Sequence, residues 1–230
     1  MFFKRTIDGA GAAGTRLHCL SDRRPRGPGL GERVLTVMFT DIVGFTRLAE
    51  ALSPTAVARL LSGHFLALAE CIERERGRID KIMGDGLIAV WALPAGSTTA
   101  PAVRAALGIR MAVESGNAVR AERGEPPLCL RVGLHAGPLI AAPMGAEGRL
   151  GVALCGDTVN VAQRLEDAGR GMAANGAVTI VASDMVVTRA GSGFRFAQLG
   201  ELPVRGRSEP VRAFRVEGPV SGDPCAAGTA

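Results

Sequence analysis

An apolar run from Val34 to Phe39 passes through Thr40 into the carboxylate of Asp41, and Ile42-Val43-Gly44 then turns the chain away. Consecutive apolar residues followed by a glycine-containing turn describe a buried strand. Such a strand carries Asp41 to its end, where a metal ion or a phosphate can meet it. A second carboxylate is delivered in the same way by Lys81-Ile82-Met83-Gly84-Asp85-Gly86-Leu87-Ile88. A third block, from Gly156-Asp157 to Glu166, sets Asn160 and Arg164 one helical turn apart, on a single helix face.

Between these blocks the apolar spacing changes period. Ser53-Pro54 offers an N-cap and a proline at the first helical position. Val57, Leu60, Leu61, His64, Phe65, Leu68 and Ile72 then recur at helical spacing until Gly77 closes the element. Residues 78–91 read as a hairpin with Met83-Gly84-Asp85-Gly86 at its tip. A second helix is predicted over Pro101 to Arg123, with Val103, Leu107, Met111 and Val113 toward the core, and a strand over Leu128 to Leu134 leads into His135. A glycine-rich connection from Met144 to Gly151 precedes the helix of Asn160 and Arg164, and two further strands are expected over Phe194–Glu201 and Val211–Val216. The order strand, helix, hairpin, helix, strand is that of an α+β fold with a ferredoxin-like βαββαβ core and additional strands and helices. His64, His135 and Trp91 are assigned to structure.

A chain of 230 residues with 47% hydrophobic content can bury a sizeable core in one domain. Composition sets the boundaries: a basic, Gly/Pro/Arg-rich leader over 1–31, a folded domain over 32–218, and a small polar tail over 219–230, with both ends expected to be disordered. Of the net charge of +5, four units fall within the first 30 residues, where six cations face two acids. The remainder is nearly neutral and the chain has 4% aromatics with no Tyr, so neither a basic face nor a stacking platform for nucleic acid is present. Five cysteines without CxxC spacing argue against a zinc site or a disulfide framework and for reduced thiols in a cytoplasmic protein. No uninterrupted apolar window of about 18 residues marks a membrane span.

In this order, the three blocks resemble the catalytic domain of the class III nucleotide cyclases of bacterial type, the adenylate and guanylate cyclases, from about Glu32 to about Glu217. The βαββαβ core is the one this family is known for. The resemblance implies that Asp41 and Asp85, with the Ile42 carbonyl, hold two divalent cations, Mg²⁺ or Mn²⁺. Both acids are then explained, because close like charges without cations would force one of them to take up a proton. Lys81 stands where adenylate cyclases read the adenine ring. A lysine donates and never accepts, so it suits an adenine ring nitrogen and disfavours the N–H of guanine. The resemblance further assigns Asn160 to the ribose, Arg164 to charge on the α-phosphoryl group and Arg205 to the terminal phosphates, with Arg207 as a fallback. It also implies a homodimer with shared sites, Asp41, Ile42 and Asp85 coming from one chain and Lys81, Asn160, Arg164 and Arg205 from the other.

One position departs from the family. Seven residues before Asn160 the family carries a second purine-reading side chain, commonly Asp or Thr, and this chain carries Ala153. Alanine offers no hydrogen bond, and one lost contact costs on the order of 1 kcal/mol. The expected activity is conversion of ATP to 3′,5′-cyclic AMP and pyrophosphate with loosened purine selectivity. The alternatives are a guanylate or relaxed-purine cyclase and a non-catalytic cyclase-homology module that dimerises or senses nucleotide. A diguanylate cyclase is disfavoured by the lack of a Gly-Gly-Asp/Glu-Glu-Phe signature.

Overall fold

The computed structural model describes residues 32–144, 151–170, 172, 177–204 and 209–220. The expectations for the leader, for Arg205 and Arg207, and for the chain beyond 220 lie outside the described residues.

The apolar run forms β1 (Glu32–Ile42), buried continuously from Leu35 to Thr40. It is paired on both edges, antiparallel to β3 (Gly86–Ala92) on one side and to β4 (Leu130–Met144) on the other. The short α1 (Phe45–Glu50) follows and buries none of its residues, which is why no apolar spacing announces it. Next comes α2 (Pro54–Arg74), whose Ser53 hydroxyl accepts a hydrogen bond from the Ala56 amide at 3.3 Å, as the cap motif requires. Past its end, Arg76 takes the left-handed conformation (φ 60°), while Gly77 lets the chain pass Trp91. A Cβ on Gly77 would lie 2.5 Å from that indole ring.

The hairpin of β2 (Arg78–Met83) and β3 is where the tip motif predicts it. The 23-residue α3 (Ala100–Glu122) leads into β4, and β4 is longer than its predicted strand, running to Met144. The rest comprises β5 (Gly151–Cys155), α4 (Asp157–Ala168), β6 (Val178–Ser183), α5 (Asp184–Ala190), β7 (Phe194–Leu202) and β8 (Val211–Pro219). The eight strands among the described residues join one sheet in the order β2-β3-β1-β4-β6-β8-β7, with β5 attached to β4. Each neighbouring pair along β2-β3-β1-β4 is antiparallel, and with α2 and α3 these strands make up the predicted βαββαβ core. The β4–β6 pair is parallel, bridged by a connection that contains α4.

Strand alternation divides the sheet residues between two layers. Met38, Ile42, Leu87, Ala89, Leu130, Val132 and Leu134 pack with Phe65, Leu68 and Ile72 of α2 and Val103, Ile109 and Val113 of α3. On the opposite face, Leu35, Val37, Phe39, Ile88, Val90 and Leu139 pack with Ala162 of α4. Helix α3 corrects one expectation. Its buried stripe is built largely from Ala102, Val103, Ala105, Ala106, Ile109 and Val113, while Met111 points outward at 70% exposure and Leu107 is only partly buried.

With 21 residues and an apolar composition, α2 is long enough to cross a bilayer. Here its inner side, from His64 and Phe65 to Ile72, is spent on the core, and Arg59 and Glu70 are exposed. Trp91 is core as predicted and donates its indole N–H to the Glu75 carbonyl at 3.0 Å. His135 is buried against the Ser183 hydroxyl at 2.8 Å, in keeping with a structural role.

Candidate active site

Two contacts lock the end of β1 to the hairpin. The Leu87 amide donates to the Thr40 hydroxyl at 3.1 Å. Gly86 passes so close that a Cβ there would fall 2.1 Å from the Thr40 carbonyl oxygen, so only glycine fits beside Asp41. The result brings Asp41 and Asp85 together, both half-exposed and within hydrogen-bonding reach of each other. Burial, followed by the neighbouring charge of Asp85, pushes the Asp41 carboxyl above the usual carboxylate range, and Arg131 opposes the rise. The side chain of Ile42 is buried in the core, so its backbone carbonyl is the only group it can offer the site.

Sequence reasoning missed Arg131. It lies directly across from Asp41 in the β1–β4 register, and its guanidinium forms an ion pair with the Asp41 carboxylate. The same guanidinium pairs through Nε with Glu166 of α4. The signal was present: a cation between Leu130 and Val132 in a buried strand, on the same face as Gly133, needs an acid nearby. Gly133 is what lets α4 come close enough to supply one, since a Cβ there would be 2.1 Å from the Ala162 carbonyl oxygen.

Lys81 sits just beyond a register shift between Ile79 and Lys81, a bulge that brings consecutive side chains together. Its ammonium group lies 3.3 Å from the buried Asp80 carboxylate while the side chain remains 43% exposed. Burial raises the Asp80 carboxyl, and Lys81 counters it. His64, on α2, is buried, and among the described residues its Nε2 has no hydrogen-bond partner. Burial lowers its pKa from 6.5 to about 4, against the pull of the Asp85 charge.

The amide and arginine of the third block stand elsewhere. Val161, Ala162 and Leu165 of α4 are buried, which turns Asn160 and Arg164 outward. Arg164 is 55% exposed and only loosely paired with Asp167 at 3.9 Å. Among the described residues, no hydrogen bond or ion pair joins Asn160 or Arg164 to Asp41, Asp85 or Lys81. Ala153 lies on β5 opposite Ala142.

The donor set fits divalent cations. Two converging carboxylates supply hard oxygen ligands, and a guanidinium drawn onto one of them shows that the corner demands positive charge. Among the described residues, no group of three or more His, Cys, Asp or Glu forms a closed metal cage. Two protein acids are nevertheless enough for ions that keep water and bind substrate phosphates.

A family model of the adenylate and guanylate cyclase catalytic domain matches residues 32–218. The chain belongs to that family. Adenylate cyclase 1 of Rhizobium meliloti is 36% identical to this cyclase domain over 192 residues, which cover 81% of this chain and 28% of the relative. The domain therefore spans little more than a quarter of that relative's length. Among solved structures, the adenylyl cyclase CyaB from P. aeruginosa superposes with a TM-score of 0.72 at 26% identity, covering 83% of this chain and 96% of the other. The guanylyl cyclase Cya2 superposes with a TM-score of 0.74 at 25% identity, covering 86% and 98%. The ferredoxin-like core and its additions are thus those of cyclase catalytic domains.

Proposed function

We propose that residues 32–218 form the catalytic domain of an adenylate cyclase that converts ATP to 3′,5′-cyclic AMP and pyrophosphate at sites shared between two copies of the chain. The observation that carries this reading is the pairing of Asp41 with Asp85 at the junction of β1 and the hairpin. In this reading the leader and tail flank the domain without entering its chemistry. The free thiols of Cys71, Cys129 and Cys155 suit a reducing cytoplasm.

Asp41, Asp85 and the Ile42 carbonyl would hold two divalent cations, Mg²⁺ or Mn²⁺. Ions held there would supply the positive charge that acidifies the ribose 3′-hydroxyl and offsets charge on the triphosphate. The remaining work falls to side chains. Lys81, steadied by Asp80, donates to a ring nitrogen of adenine. Asn160 orients the ribose so that its 3′-oxygen lies in line with the α-phosphorus. Arg164, always charged and planar, faces the phosphoryl oxygens as charge builds on them, and Arg205 steadies the leaving pyrophosphate.

Asn160 and Arg164 project from the outer face of α4 and, among the described residues, touch neither Asp41 nor Asp85 of their own chain, which supports a site completed by a second chain. Homodimerisation gives two equivalent sites because each chain carries both halves. A relaxed-purine reading rests on Ala153, which leaves the base with one fewer side-chain partner.

The deciding experiment measures cyclic product from ATP and from GTP with Mn²⁺, beside the Asp41→Ala/Asp85→Ala variant. Cyclic AMP that disappears in the variant is the expected result. No cyclic product from either nucleotide in a confirmed dimer would leave a non-catalytic module.

A further inference from the structure

Consecutive residues of a regular strand point to opposite faces of the sheet, yet the side chains of Asp80 and Lys81 on β2 meet. The register of β2 on β3 explains how. Ile79 stands opposite Ala89 and Lys81 opposite Ile88, so Asp80 is the extra residue of a bulge. A regular register would instead set Lys81 opposite Leu87, whose side chain packs under α2 and α3. Ile88 packs on the other face, with Ala162 of α4. Opposed residues share a face, so the bulge turns Lys81 to the side of the sheet that carries α4. It also leaves a buried acid beside the ammonium group. The Asp80 side chain is 2% exposed, that of Lys81 43%, and their charged atoms are 3.3 Å apart.

We propose that Asp80 is a positioning residue whose pairing with Lys81 at the β2 bulge makes the site discriminate adenine from guanine. The inference rests on the reading of Lys81 as the purine-contacting residue of an adenylate cyclase. A lysine is a compact charge on a flexible four-carbon stem, and its donors alone separate the two bases poorly. Adenine offers a ring-nitrogen acceptor where guanine has an N–H. Guanine, however, carries its O6 acceptor one atom further along the same edge. An unrestrained ammonium group would follow that acceptor and serve both bases. Asp80 removes the freedom, because a buried carboxylate whose counter-charge swings away is left uncompensated. Held in place, Lys81 keeps its donors on the adenine acceptor and meets the N–H of guanine donor to donor. Ala153 on β5 has no hydrogen-bonding side chain to add to the choice. Asp80 thus acts on the base only through Lys81.

The test is kcat/KM for ATP and for GTP, measured with Mn²⁺ in the full chain. The parent should prefer ATP at least about tenfold. Asp80→Asn keeps the shape of the side chain and removes its charge, and should lower the ATP-to-GTP ratio about tenfold, chiefly through a higher KM for ATP. A merely structural role would harm both nucleotides alike, since the same hairpin carries Asp85, and would leave the ratio where it was. In a Lys81→Met background, which itself should lose the preference, Asp80→Asn should change the ratio by less than about twofold. Should Asp80→Asn fail to fold, Lys81→Met alone reports the pair through urea stability. Its loss relative to the parent should be present at about pH 7.5 and shrink toward about pH 5, where the uncompensated Asp80 carboxylate takes up a proton. A pH-independent loss in that chain overturns the proposal. So does an Asp80→Asn ratio within about twofold of the parent, an equal drop with and without Lys81, or a parent that uses both nucleotides alike. A parent that forms no cyclic product, or a Lys81→Met chain with the parental ratio, overturns the reading of Lys81 and this inference together.

Discussion

The carboxylate corner and the outer face of α4 are built in opposite ways. At the corner, Asp41, Asp85 and Arg131 are drawn together by paired strands, a glycine contact and a buried hydroxyl, and Asp41 and Arg131 are already paired. On α4, Asn160 and Arg164 stand in solvent, held only by the helix beneath them. On the proposed reading, half of the chemistry is assembled by folding and half is displayed for a second chain to meet. That division is what a shared site demands, since displayed groups cost their own chain little and acquire work only opposite a second copy.

The strongest way to break the comparison is to separate the halves. Asp41→Ala and Arg164→Ala chains should each be inactive alone, at least 10³-fold below the parent. Mixed, they should recover about a quarter of parental activity, because half of random dimers are mixed and each mixed dimer keeps one intact site. No recovery in a preparation shown to contain mixed dimers would place both halves in one chain.

A smaller effect probes how tightly the corner side is packed. His64 is held neutral, with its folded pKa of about 4 below the unfolded 6.5, so the unfolded chain binds the extra proton first. Stability should therefore fall as pH drops through 6.5 toward 4, by about 2 kcal/mol between pH 7.5 and 5. The raised carboxyls of Asp41, Asp80 and Glu166 act with the opposite sign, losing an unfavourable charge as pH falls. The measurement is thus the difference in urea stability between the parent and His64→Leu at the two pH values. A difference that does not change with pH would mean that His64 is freely protonated in the fold.

The smallest effect lies on the displayed side. Ala153→Thr restores a hydrogen-bonding side chain on β5 and should sharpen the preference for ATP over GTP several-fold in kcat/KM, the scale of one hydrogen bond. An unchanged ratio would remove Ala153 from purine reading.

The same contrast explains what the sequence made legible. The βαββαβ order was readable because β1, α2, the hairpin and α3 each bury a continuous apolar face, and because Ser53-Pro54 and Gly84-Asp85-Gly86 punctuate them. The short α1 buries nothing. In β6, six wholly buried residues carry no alternation to separate strand from helix. Met111 misled because α3 uses alanines for its inner face, and a large apolar residue at the right spacing looks more core-forming than the small ones that do the packing. Asp41 and Asp85 could be recognised from their local turns. The Arg131 link to Glu166 spans 35 positions of sequence, and only the register of β1 on β4 and the approach of α4 at Gly133 bring the three charges together.

Strand β1 has a further consequence. Every residue from Glu32 to Ile42 has a partner on β4, and those from Leu35 to Thr40 are paired on β3 as well. A segment clamped along both edges in the middle of a sheet exchanges its amide hydrogens only when the whole domain opens. Asp41 is therefore carried on the last part of the molecule to loosen, and local fraying offers no means of turning the carboxylate corner off. Were the domain to act as proposed, its control would fall on the pairing of two chains rather than on this strand.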